Sequence, residues 1–105
     1  MYNLKNKKVL ITGGARGIGR QIAIEFAKCG SDIIICDLDK SYIEKNNFQD
    51  IKEFGASCFA YSLDVTNYND IIKVREQIIN EAGHINILVN NAGVVFGGKF
   101  LDISI

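Results

Sequence analysis

Val9-Leu10-Ile11-Thr12-Gly13-Gly14-Ala15-Arg16-Gly17-Ile18-Gly19 is the stretch on which the fold turns. Three apolar residues in a row are followed by a glycine-rich segment. Ile18, Ile22 and Phe26 then recur four residues apart, the spacing of one helix face. A strand that turns directly into a helix aims the first backbone N–H groups of that helix outward, and the helix dipole adds a favourable field for negative charge. The segment therefore predicts a phosphate-bearing ligand, although an ordinary glycine-rich turn between strand and helix reads the same way in isolation.

Strand and helix alternate outward from this segment. Residues 8–12 read as the first strand and 17–29 as the first helix, which Gly30 ends because glycine tolerates a left-handed cap. Residues 32–36 read as the second strand. Ser41 and Glu44 have the spacing of a capping box that opens a second helix running to about Phe54, where Gly55 stops it. Residues 57–62 read as the third strand. Thr66 is placed to cap a third helix, with Asp70 in its first turn and Ile71, Val74, Ile78 and Ala82 at helical spacing. Residues 85–90 read as the fourth strand. Strands one, two and four carry apolar residues in succession, which marks parallel strands covered on both faces. Right-handed crossovers then give the order 3-2-1-4, a partial Rossmann-like doubly wound α/β sheet with helices on both faces.

The bulk properties narrow the function classes. The chain has 105 residues, room for one domain, with 12 basic and 12 acidic side chains and a net charge of zero. That balance argues against nucleic acid and a membrane surface as partners. No apolar run approaches the ~18 residues of a membrane helix, and no signal segment opens the chain. Cys29, Cys36 and Cys58 are odd in number and form no CxxC pair, which fits reduced thiols in a cytoplasmic protein. His84 has no metal or triad partners at a recognisable spacing, so no metal site is expected. Gly97-Gly98-Lys99 lacks the full phosphate-loop pattern.

The glycine spacing is Gly13-x-x-x-Gly17-x-Gly19. Gly13 allows the tight turn, Gly17 lets a pyrophosphate approach the backbone, and Gly19 lets the helix pack close. Asp37 ends strand two, placed to accept hydrogen bonds from the adenosine ribose hydroxyls of NAD and to repel the 2′-phosphate of NADP. As an alternative, Asp37 is a solvated loop carboxylate. Arg16 argues the other way, because a guanidinium in the loop could reach that phosphate, so NAD is favoured and NADP stays possible. Asp64 and Val65 follow strand three, and Asn90-Asn91-Ala92-Gly93 ends strand four. Both lie on the carboxyl edge, where open α/β sheets bind ligands. An aspartate there could hold the adenine amino group with Val65 covering the ring. The Asn pair could equally serve to satisfy loose backbone groups.

Taken in order, Thr12 to Gly19, Asp37, Asp64-Val65 and Asn90 to Gly93 resemble the short-chain dehydrogenase/reductase family in its classical form, over essentially the whole chain. The resemblance implies a nicotinamide cofactor lying across the sheet. It implies pyrophosphate and ribose contacts from Gly13, Gly17, Ile18 and Gly19, and a ribose clamp at Asp37. Adenine contacts would come from Asp64 and Val65, and further cofactor contacts from Asn90 and Ala92. It also implies an NAD(P)-dependent oxidoreductase acting on an alcohol or carbonyl compound, and homo-oligomers among full-length relatives.

The family's hydride transfer depends on a serine and a Tyr-x-x-x-Lys pair later in the sequence. Tyr2 and Tyr42 have lysine three residues on, Tyr61 has none nearby, and Tyr68 lies five residues before Lys73. Ser104 lies too near strand four to be the family's serine. Residues 1–105 are therefore expected to be a truncated NAD(P)-binding domain with no catalytic residues, inactive alone and prone to self-association through an exposed fourth strand. The alternative is a non-catalytic dinucleotide-binding or interaction fragment. The substrate is not legible.

Overall fold

The computed structural model describes residues 3–92. Gly93, Gly97-Gly98-Lys99, Ser104 and Tyr2 lie outside the described residues. The elements are β1 (Lys8–Thr12), α1 (Gly17–Lys28), β2 (Asp32–Asp37), α2 (Lys40–Lys45), α3 (Gln49–Lys52), β3 (Cys58–Ser62), α4 (Tyr68–Glu81) and β4 (Ile87–Asn90). The strands form one parallel sheet in the order β3-β2-β1-β4, the expected Rossmann-like arrangement.

The successive apolar residues of β1 and β2 separate by pleat into two cores. Val9, Ile11, Ile33 and Ile35 face Ala23 and Ala27 of α1 and Ile51 of α3. Leu10, Ile34 and Cys36 face Ile71, Val74 and Ile78 of α4. Both central strands are buried on both sides, so a register slip would cost two cores at once. β4 pairs with β1 from Val9↔Ile87 to Thr12↔Asn90. Its Ile87, Leu88 and Val89 are half-buried.

Three helix readings are corrected. The single second helix is two short ones, broken at a buried Phe48 with φ of +52°. Asn46 Oδ1 accepts from the Phe48 N–H at 2.8 Å, and Asn47 Oδ1 from Gln49 N–H at 3.1 Å. These local side-chain bonds compete with the helical ladder. α2 is also not opened by a Ser41–Glu44 box: Asp39 is its cap, its Oδ1 accepting from Tyr42 N–H at 3.0 Å. The cap of α4 is Asn67, which accepts from Asp70 N–H at 3.1 Å, while Thr66 turns to Asp64 instead.

Candidate functional site

β1 ends in Thr12, whose side chain is fully buried. Its Oγ1 accepts the N–H groups of Asn91 at 3.0 Å and Ala92 at 3.1 Å, and its own proton reaches Asn90 Oδ1 at 3.1 Å. One hydroxyl thus joins the end of β1 to the end of β4. Thr12 has no assigned role in the sequence motif. The available signal was a hydroxyl residue closing an otherwise apolar strand.

The turn that follows is compact. Gly13 has φ of +65°, and a Cβ placed on Gly19 would lie 2.1 Å from the Gly13 carbonyl oxygen. No side chain fits between α1 and the turn, so the close packing assigned to Gly19 is against the turn itself. Over Gly17 a Cβ would meet nothing within 4 Å, leaving the backbone at the start of α1 open to a ligand. Ile18 beside it is 76% exposed, an apolar side chain presented next to helix-start N–H groups.

Three outside side chains pin the turn. Asn91 Nδ2 donates to Gly13 O at 3.2 Å, so Asn91 serves the structural role left open for it. Ala15 N–H donates to Asp37 Oδ2 at 3.1 Å. Arg20 Nη1 donates to Ala15 O at 2.9 Å. Arg16, which could reach a 2′-phosphate, donates to Asp39 Oδ2 at 2.9 Å with its guanidinium 5.0 Å above the Tyr42 ring.

A cleft of about 210 Å³ opens between the ends of β1, β2 and β3. It brings together Gly13, Asp37, Asp64, Val65 and Ala92, five of the residues singled out in the sequence. Cys36, Leu38, Leu63 and Thr66 complete the lining. Leu38 is 69% exposed; as a single apolar residue in a polar loop it carries no sequence signal. Arg16, Gly17, Ile18, Gly19 and Asn90 are not in the cleft; they occupy the start of α1 and the end of β4. Thr66 donates to Asp64 Oδ1 from its hydroxyl at 2.6 Å and from its N–H at 3.0 Å. These bonds hold the Asp64 carboxyl below its usual range, so it is an anion at neutral pH. Burial keeps the Cys36 thiol neutral, so the cleft holds no thiolate nucleophile.

Tyr42, Tyr61 and Tyr68 all lie outside the cleft. Tyr42 hydroxyl accepts from Arg20 Nη1 at 3.1 Å. Tyr61 donates to Glu81, and burial together with that carboxylate pushes its phenol up. Tyr68 is exposed at the start of α4, and His84 is exposed after it. Among the described residues no group of three or more His, Cys, Asp or Glu could hold a metal ion, and no helix is long and apolar enough to cross a membrane.

A family model described as short chain dehydrogenase matches residues 7–105. The chain is 41% identical over 97 residues to short-chain dehydrogenase/reductase family 16C member 6 of Bos taurus, covering 89% of this chain and 29% of that protein. It is 39% identical over 101 residues to epidermal retinol dehydrogenase 2 of Homo sapiens, covering 95% of this chain and 32% of that one. The chain thus spans about a third of the length of these curated relatives. Among solved structures it resembles L-sorbose reductase from Gluconobacter frateurii, complexed with NADPH and L-sorbose. The TM-score is 0.78 at 32% identity, over 88% of this chain and 35% of the reductase. A hydroxysteroid dehydrogenase from Escherichia coli gives a TM-score of 0.76 at 33% identity, over 88% of this chain and 39% of that one.

Proposed function

The chain belongs to the short chain dehydrogenase family, and from that membership we propose that it holds the nicotinamide dinucleotide of an oxidoreductase acting on an alcohol or carbonyl compound. The observation that carries this reading is the single cleft lined by Gly13, Asp37, Asp64, Val65 and Ala92, with the open start of α1 beside it. The glycine turn fits a pyrophosphate: Gly17 leaves space, and the first N–H groups of α1 have no partner within the helix. In this reading Gly13, Gly17, Ile18 and Gly19 hold the pyrophosphate and its adjoining ribose. Asp64 accepts the adenine amino group, Val65 covers the ring, and Asn90 and Ala92 line the path of the dinucleotide along β4. Reversible hydride transfer is the chemistry that the bound nicotinamide supplies.

NAD is the favoured form. The Asp37 carboxylate has acceptor capacity beyond its bonds to Ala15 and Asp39, suited to two ribose hydroxyls. A 2′-phosphate would bring like charge against it. Arg16, the group that would answer that phosphate, is matched by Asp39. NADP is the second reading, favoured by the presence of Arg16 on the same edge and by the NADPH bound to the L-sorbose reductase. The three free thiols, Cys29, Cys36 and Cys58, fit a reducing compartment, and we place the protein in the cytoplasm.

Titrating the 105-residue chain with NADH and NADPH, followed by nucleotide fluorescence, tests the reading. Tighter binding of NADH is expected, and a chain that binds neither would point instead to an interaction module. No NADH production from a panel of secondary alcohols is expected, because the 105 residues contain no Tyr-x-x-x-Lys.

A further inference from the structure

Arg20 is the first residue after the glycine turn and has no place in the motif that precedes it. Its guanidinium is nonetheless engaged on every side. Nε and Nη2 make a fork to the Asp50 carboxylate at 3.0 and 2.8 Å. Nη2 also donates to Asn46 Oδ1 at 3.1 Å, and Nη1 to Tyr42 hydroxyl at 3.1 Å and Ala15 O at 2.9 Å. The guanidinium carbon lies 4.7 Å from the centre of the Phe48 ring. Only 15% of the side chain is exposed. The fork with Asp50 raises the arginine's pKa and lowers that of the aspartate, so the pair stays ionised.

The bond to Ala15 O connects this cluster to the candidate site. A trans peptide carries its C=O and N–H antiparallel, so fixing the Ala15 carbonyl fixes the direction of the Arg16 N–H at the start of α1. The neighbouring peptides are fixed in the same manner, by Asn91 at Gly13 O and by Asp37 at Ala15 N–H. The three consecutive peptides from Gly13 to Arg16 are each held by a side chain from outside the turn. A turn built from flexible residues is thereby preorganised for an anion. We propose that Arg20 is a positioning residue for the pyrophosphate turn, transmitting the placement of α2 and α3 to the Ala15–Arg16 peptide without touching the dinucleotide. The inference rests on the dinucleotide reading above.

A lysine in place of Arg20 keeps the charge and one bond to Asp50 but cannot also reach Ala15 O, Tyr42 and Asn46. The test measures binding of NADH, ADP and adenosine to the wild-type chain and to Arg20→Lys, Arg20→Ala and Asp50→Asn, with thermal midpoints recorded in parallel. Arg20→Lys is expected to stay folded, to lose about tenfold in affinity for NADH and for ADP, and to bind adenosine as the wild type does by saturation-transfer NMR. Asp50→Asn is expected to show a smaller loss with the same ligand pattern. A folded Arg20→Lys chain with wild-type affinity for NADH and ADP would overturn the proposal. So would an equal loss for adenosine, which contains no phosphate and would report general destabilisation. A wild-type chain that binds no dinucleotide at all would instead remove the reading on which the proposal stands. If Arg20→Ala unfolds, Arg20→Lys and Asp50→Asn decide the matter.

Discussion

The Ala15 N–H donates to Asp37 Oδ2 at 3.1 Å, so the carboxylate at the end of β2 is bonded to the glycine turn at the end of β1. Asp37 is therefore more than a group waiting for a ribose. It orients the turn with one oxygen while its other oxygen accepts the Asp39 N–H at 3.3 Å.

Asp37→Ala removes both functions. A hydrogen bond to a charged group contributes about 1.5–3 kcal/mol, so NADH affinity should fall roughly tenfold to a hundredfold. Fluorescence titration measures this. An unchanged dissociation constant would remove Asp37 from the site.

Gly19→Ala places a methyl group 2.1 Å from the Gly13 carbonyl oxygen, which is backbone and cannot rotate away. Either α1 or the turn must move, at a cost of about 1–3 kcal/mol for overpacking. Urea unfolding should show the lowered midpoint, and NADH binding should weaken with it. Gly17, open to space but at φ of +62°, is expected to respond through backbone strain of about 1–2 kcal/mol.

Asp39→Asn separates capping from charge. The amide oxygen can still accept the Tyr42 N–H and keep α2 capped, while the ion pair with Arg16 is lost. Arg16 is then available to a 2′-phosphate. The affinity for NADPH relative to NADH should rise several-fold, and Arg16→Ala in the same background should cancel the gain. Paired titrations of the two nucleotides give the ratio directly.

Alkaline pH should destabilise the fold through the half-buried Cys58 thiol. Burial raises the Cys58 thiol from an ordinary 9.0 to about 11. Between those values the unfolded chain loses a proton that the folded chain retains, so stability is present below pH 9 and declines as pH rises toward 11. Cys58→Ala should flatten that decline in urea midpoints collected across the interval. An identical slope would assign the loss to other groups, with the fully buried Cys36 the first to examine.

Much of this was legible in the sequence because the signals were local or periodic. Strand β1 was delimited to the residue by apolar succession, and the order of the sheet follows from crossover handedness. Asp37 was legible because a strand end fixes where a side chain must lie. The pairing of Arg16 with Asp39 was not, since the two lie 23 residues apart and neither residue type signals it. Thr12 and Arg20 were missed for the same reason: their meaning resides in what they touch. The break at Phe48 depended on two asparagines whose competing bonds outweigh an otherwise helical pattern. In the cleft, Leu38 and Leu63 were hidden by having no distinguishing chemistry.

The Thr12 hydroxyl accepts from residues 79 and 80 positions further along the chain. Asn91 reaches Gly13 across 78. The turn can form early beside β2, but its remaining anchors arrive only when β4 docks, after the longest loop closure in the sheet. The site is therefore expected to be completed late on the folding path. Appearance of dinucleotide binding during refolding should lag the formation of helix, and the delay between the two signals would time the docking of β4.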